Sequence, residues 1–154
     1  MTKKEIEVQM ALGSLSDKMK VELVGKNISI KMLSALSKDE DWFIRCSVVL
    51  NENVSTKILL ALSKDDNYWV RKVVAENLNT PIEALGILGK DDDWLVKNAV
   101  AKNPNTPPGI LEMLSKDRDW VVRDSVVANP NTPINVLKML IKKGQTTLRG
   151  CIDY

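Results

Sequence analysis

Residues 77–102 read Asn77-Leu-Asn-Thr-Pro-Ile-Glu-Ala-Leu-Gly-Ile-Leu-Gly-Lys-Asp-Asp-Asp-Trp-Leu-Val-Lys-Asn-Ala-Val-Ala-Lys102, and the pattern recurs on both sides of this stretch. Asn27, Asn53, Asn79, Asn105 and Asn131 are spaced by 26. Leu33, Leu59, Leu85, Leu111 and Leu137 keep the same step, as do Leu36, Leu62, Leu88, Leu114 and Leu140, and Lys38, Lys64, Lys90, Lys116 and Lys142. Four kinds of position held over five copies define a tandem repeat, the feature to settle before any other in reading a fold. The units run 25–50, 51–76, 77–102, 103–128 and 129–154, after a lead of residues 1–24.

The punctuation inside a unit predicts two short helices. Thr80 suits an N-cap, Pro81 the first helical position and Glu83 a capping box, with Thr106-Pro107 and Thr132-Pro133 repeating the start. Leu85 and Leu88 face the core in this first helix, while positions 31, 57, 83, 109 and 135 face solvent. Asp41, Asn67, Asp93 and Asp119 are N-cap residues for the second helix, each followed by an aromatic: Trp42, Tyr68, Trp94 and Trp120. Ile44, Val70, Val96 and Val122, with Val48, Val74, Val100 and Val126 four residues on, make its inward stripe. Asn51, Asn77, Asn103 and Asn129 are expected to stop it in a left-handed conformation, before Pro104 and Pro130 in two copies.

Helices of two to three turns are too short to stand alone in water, and one pair cannot bury its own apolar face. Stacked pairs can, so the expectation is an all-α chain: an α-α superhelix, or short α-solenoid, of five two-helix repeats. The lead, with Ile6, Met10, Leu12, Met19 and Leu23 at helical spacing, reads as a degenerate N-terminal capping pair. The last unit replaces the acidic–aromatic signature by Gln145-Thr146-Thr147 and reads as the C-terminal cap.

Composition narrows function by exclusion. The chain has 154 residues, 44% hydrophobic and 27% charged, with 22 Lys plus Arg against 20 Asp plus Glu, so bulk charge announces neither nucleic acid nor membrane. It holds no His, which removes Ser-His-Asp and Cys-His catalysis and His-ligated metals. Cys46 and Cys151 cannot by themselves hold a structural zinc or an iron–sulfur cluster. Four repeats of about 10 Å each would hold them on the order of 40 Å apart, beyond the ~7 Å reach of a disulfide. No apolar run is long enough for a membrane span, and the start lacks the apolar stretch of a signal peptide. We expect a soluble, cytoplasmic, non-enzymatic protein with no cofactor, no metal and no membrane partner.

The string Asn103-Pro-Asn-Thr-Pro-Pro, with Leu111, Leu114, Asp117, Asp119-Trp120-Val121-Val122-Arg123 and Val126, resembles the leucine-rich repeat variant family. It is also similar to HEAT-like bacterial repeats. The likeness covers roughly residues 27–140 and rests on the Asn-x-Asn-Thr-Pro and Val-Arg motifs. It implies a helical solenoid; where the variant family sometimes makes its second helix a 3₁₀ turn, these longer units leave room for a true α-helix. One relative's N-terminal iron–sulfur cluster does not transfer, for want of cysteines.

Arg45, Arg71, Lys97, Arg123 and Arg149 form a basic ladder, three residues after each aromatic where one is present. Interleaved with rings, Arg45, Arg71, Lys97 and Arg123 are candidate phosphate ligands for a nucleic-acid partner, with Lys138, Lys142 and Lys143 adding a basic end. The plainer expectation pairs the ladder with Asp39, Asp65, Asp91 and Asp117, with the rings as interior packing. HEAT-like repeats resemble this in tying adjacent units by Asp–Arg pairs. Trp120 with Asp124 is similar to the aromatic–Asp placement of bacterial alkylpurine DNA glycosylases, a remote enzymatic reading.

The favoured candidate surface is the outward side of the second helices. Its first row, Phe43, Trp69, Leu95 and Val121, is apolar; beside it Cys46, Lys72, Asn98 and Asp124, then Leu50, Glu76, Lys102 and Ala128, change in every unit. A constant scaffold with a variable, partly apolar face suits a protein or peptide partner held along a concave surface, with Phe43 and Trp69 as anchors.

Overall fold

The computed structural model describes residues 13, 15–24 and 28–142. Among these there are ten helices and no strand: α1 (Asp17–Val24), α2 (Ile30–Leu36), α3 (Trp42–Val49), α4 (Thr56–Leu62), α5 (Tyr68–Glu76), α6 (Ile82–Leu88), α7 (Trp94–Lys102), α8 (Pro108–Leu114), α9 (Trp120–Ala128) and α10 (Ile134–Lys142). Helices α2/α3, α4/α5, α6/α7 and α8/α9 are the pairs of successive units; α10 is the first helix of the next. In the lead, α1 stands where a second helix would, packed on α3. The rest of that lead, with Ile6, Met10 and Leu12, lies outside the described residues, as do Gln145, Arg149 and Cys151.

Successive second helices α1, α3, α5, α7 and α9 lie directly against one another, and each first helix leans on its own second helix. The core runs between the two layers. Leu33, Leu59, Leu85 and Leu111 are wholly buried, as are Ile44, Val48, Val70, Val74, Val96, Val100, Val122 and Val126. Each such side chain removed from water contributes on the order of 2 kcal/mol, so stability grows by the addition of similar layers. Positions 31, 57, 83, 109 and 135 are exposed, as their spacing requires, whereas Leu137 is only partly covered in α10.

The second helices begin as the sequence asks. Asp41, Asn67, Asp93 and Asp119 each accept a hydrogen bond from the N–H two residues on, at 2.8–2.9 Å. The first helices do not. In the first two units Ser29 and Ser55 are the caps, accepting from Met32 N and Ile58 N. Pro81 and Pro107 take that place without any side-chain cap, and the helix starts one residue later than the Thr-Pro signal suggests. Thr80 is buried and turned back on the preceding helix, its hydroxyl donating to Val74 O at 2.5 Å; Thr106 and Thr132 do the same to Val100 O and Val126 O. Ile28 and Val54 stand at the same register, so the place asks for a β-branched shape rather than a cap. Glu83 is exposed and closes no capping box.

The asparagines at the ends of the second helices also depart from expectation. No described residue other than Gly13 has a positive φ, and Asn77, Asn103 and Asn129 are extended. Their value is lateral. Asn77 Nδ2 donates to Val49 O at 2.7 Å, Asn103 to Ala75 O at 2.8 Å and Asn129 to Ala101 O at 2.7 Å; Asn51 reaches Val24 O likewise. Each Oδ1 accepts from the N–H two residues on, at Asn53, Asn79, Asn105 and Asn131. One amide thus shapes its own turn and satisfies a carbonyl that the preceding helix leaves open at its C-terminal end.

Gly86 sits inside α6, where a Cβ would meet only Ile110 Cδ1 at 4.0 Å. Gly86→Ala should therefore raise stability by about 0.5–1 kcal/mol through the unfolded chain's lost freedom. A urea midpoint at or below that of the natural chain would contradict this.

Candidate functional site

The basic ladder is a set of ion pairs, each cation reaching the aspartate of the next unit. Arg45 Nε and Nη2 donate to the Asp65 carboxylate, both at 2.7 Å, and Arg71 binds Asp91 the same way at 2.6 and 3.0 Å. Lys97 Nζ reaches Asp117 at 2.6 Å. The remaining arm of each guanidinium turns to its own unit: Arg45 Nη1 donates to Asp39 O and Glu40 O, Arg71 Nη1 to Asp65 O and Asp66 O. One fork therefore holds two consecutive turns. The carboxylates close the figure by accepting from the backbone N–H of Asn67, Asp93 and Asp119. At the N-terminal end Lys20 Nζ supplies the cation for Asp39 at 2.8 Å.

The electrostatics follow from this packing. Burial acts to raise the Asp65 and Asp117 pKa values, but hydrogen bonds from Arg45 and Lys97, with the backbone N–H groups, outweigh it and leave both below the ordinary 3.8. Hydrogen bonding to Asp65 and Asp91 likewise raises Arg45 and Arg71 against the opposing effect of burial. Because the folded chain gives up these carboxyl protons more readily than the unfolded one, their contribution is complete above pH 3.8 and drains away as pH falls through the lowered folded values. Urea unfolding midpoints should hold down to about pH 4 and drop as pH falls further, less steeply in Asp117→Asn; parallel profiles for the two proteins below pH 4 would contradict the assignment.

Aromatic side chains mark the other face of the second helices. Among the described residues the core holds no aromatic ring, yet Phe43 is 52% exposed and Trp42, Trp69, Trp94 and Trp120 are 41, 40, 41 and 56% exposed. These are the chain's only Phe and all of its Trp. The ladder rings are thus not interior packing, as the plain reading had them; only Tyr68 leans on the core. Trp42 meets Phe43 edge-on at 6.0 Å, Tyr68 lies tilted against Trp69 at 5.1 Å, and Lys72 Nζ stands 5.6 Å over the Trp69 ring.

In the first candidate row, Leu95 and Val121 are half-buried beside exposed Phe43 and Trp69. The second row lies opposite the core stripe, where close-packed neighbouring helices shade it. Cys46 is buried and its thiol pKa is pushed up by desolvation, Lys72 is tied to Glu76 at 2.6 Å, and Asn98 accepts from Ser125 Oγ at 2.6 Å. Asp124 is half-buried, and Glu76 and Lys102 are exposed. Part of the variable row thus serves the joints between repeats. Leu50, at 71%, is exposed as its place on that face requires, whereas the exposure of Trp42, Trp94 and Trp120 was not anticipated; the repeated acidic–aromatic pair was the available signal, since a ring next to an N-cap lies at a helix end.

Among the described residues no group of three or more His, Cys, Asp or Glu could hold a metal ion, and no helix is long and apolar enough to cross a membrane. A shallow groove of about 550 Å³ between α6 and α8 is lined by Ile87, Ile110 and Met113 with Gly86 and Gly109. No family model, no curated protein and no solved structure matches this chain.

Proposed function

We propose that the chain is a non-catalytic scaffold, of the kind its likeness to leucine-rich repeat variant and HEAT-like repeats implies, binding a protein or peptide along the concave face of its second helices. One observation carries this reading: every tryptophan and the only phenylalanine stand at least 40% exposed on second helices while the core is aliphatic. Large exposed rings are what interfaces recruit, because they bury much surface at little entropic cost. The alternative, nucleic-acid binding, is weakened because Arg45, Arg71 and Lys97 already serve the carboxylates of the next repeat.

Capture from native lysate on immobilised chain tests the proposal. Phe43→Ala/Trp69→Ala should reduce the retained partner at least tenfold, with Lys72→Glu and Lys102→Glu acting in the same direction. Lys31→Glu and Lys57→Glu, on the first helices, should leave it unchanged. Equal losses on both faces would remove the proposal.

A further inference from the structure

Arg123 ends the ladder with half of its fork open. Each earlier rung closes on a carboxylate twenty residues on: Arg45 on Asp65, Arg71 on Asp91, Lys97 on Asp117. The same step from Arg123 falls on Lys143, another cation. The half that serves its own turn is intact, with Nη1 donating to Asp117 O at 2.8 Å and Arg118 O at 3.0 Å, so the guanidinium is held as in Arg45 and Arg71. Its Nε is buried and has no hydrogen-bond partner, the one side-chain nitrogen or oxygen so placed among the described residues. A buried, charged donor left unpaired is unfavourable, and an arriving acceptor relieves it.

The surroundings favour an anion. Arg118, whose carbonyl accepts from Arg123 Nη1, is exposed, whereas Asp117 is held by Lys97, Asp119 caps α9, Glu112 lies by Lys116 and Asp124 is half-buried. Trp120, one turn before Arg123, is the most exposed ring of its ladder at 56%.

We infer that Arg123 and Trp120 form a docking site for an acidic segment of a partner protein, whose Asp or Glu carboxylate supplies the missing fourth rung. This rests on the protein-binding reading and names the chemistry of the partner at one end of the scaffold. The preceding rungs define the acceptor: a carboxylate with one oxygen on Nε and the other on Nη2, as Asp91 meets Arg71.

The probe is a blocked peptide copying residues 89–95, Gly-Lys-Asp-Asp-Asp-Trp-Leu, titrated into the full chain while the Arg123 Nε–H resonance is followed by NMR. That resonance should shift, and a peptide with Asn at all three Asp positions should bind at least tenfold more weakly, a comparison that needs no variant. Arg123→Gln should abolish binding; Arg123→Lys, the residue type Lys97 already uses as a rung, should retain it in weakened form. Equal binding of the two peptides, or unaltered binding by Arg123→Gln, overturns the inference. So does Arg123-dependent self-association of the chain without a peptide response, which would assign the rung to a second copy, or displacement of the peptide by a single-stranded oligonucleotide, which would assign it to phosphate. Trp69→Ala should bind the peptide normally. Loss of lysate capture in Phe43→Ala/Trp69→Ala with no peptide response thus sinks this inference alone, and the reverse result sinks the concave-face reading alone.

Discussion

Asp91→Ala should lower the unfolding free energy by about 3–5 kcal/mol, the range for stranding one partner of a buried ion pair. The Arg71 side chain is only 18% exposed and gives two of its donors to Asp91, whose own side chain is 8% exposed. Truncation leaves that guanidinium half satisfied between two turns and frees the Asp93 N–H that Asp91 also holds. The comparison that isolates the pair is Arg71→Met/Asp91→Leu, which removes both charges and should cost far less than Asp91→Ala alone. Urea denaturation followed by circular dichroism reads both. A loss under 1 kcal/mol for Asp91→Ala would mean that the ladder is surface decoration.

Asn103→Ala should cost about 3 kcal/mol for a different reason. Its buried side chain donates to Ala75 O and Asn77 O and accepts from Asn105 N, the first bond fully buried and the other two partly so. Alanine leaves these backbone groups without partners and with little access to water, at about 1–3 kcal/mol each when nothing replaces the bond. Asn103→Asp is the sharper variant, since it keeps the acceptor for Asn105 N but sets a carboxylate against two carbonyls. It should destabilise more than alanine at pH 7 and recover on acidification, whereas equal losses at both pH values would contradict the bonding pattern.

The architecture was legible because it needs only periodicity. Leu85 and Leu88, Val96 and Val100 repeat at a fixed step, and such residues have one way to hide. The second-helix caps were legible too, because an Asp or Asn at a helix start acts on its own N–H neighbours. Thr80 and Asn103 misled for the opposite reason: their partners, Val74 O and Ala75 O, lie 6 and 28 residues away, and side chains of those types serve local caps equally well. The Arg–Asp pairing was visible as chemistry but not as register, since a carboxylate at the same turn and one at the next are equivalent in composition. The candidate surface was half legible: Phe43 and Trp69 stand out as expected, while the bond from Ser125 to Asn98 depends on how closely neighbouring helices approach, which no spacing encodes.

The joints on Asn51, Asn77, Asn103 and Asn129, and on the paired rungs, all reach one unit back or one unit forward and no further. Excising residues 77–102, or copying them in tandem, would therefore reconnect every joint to an equivalent mate. Gene duplication could change the molecule's length without new invention at any position. A ligand lying along it would then be sorted by how many rings it spans and at what interval, as a ruler sorts rods, rather than by fit to a cavity.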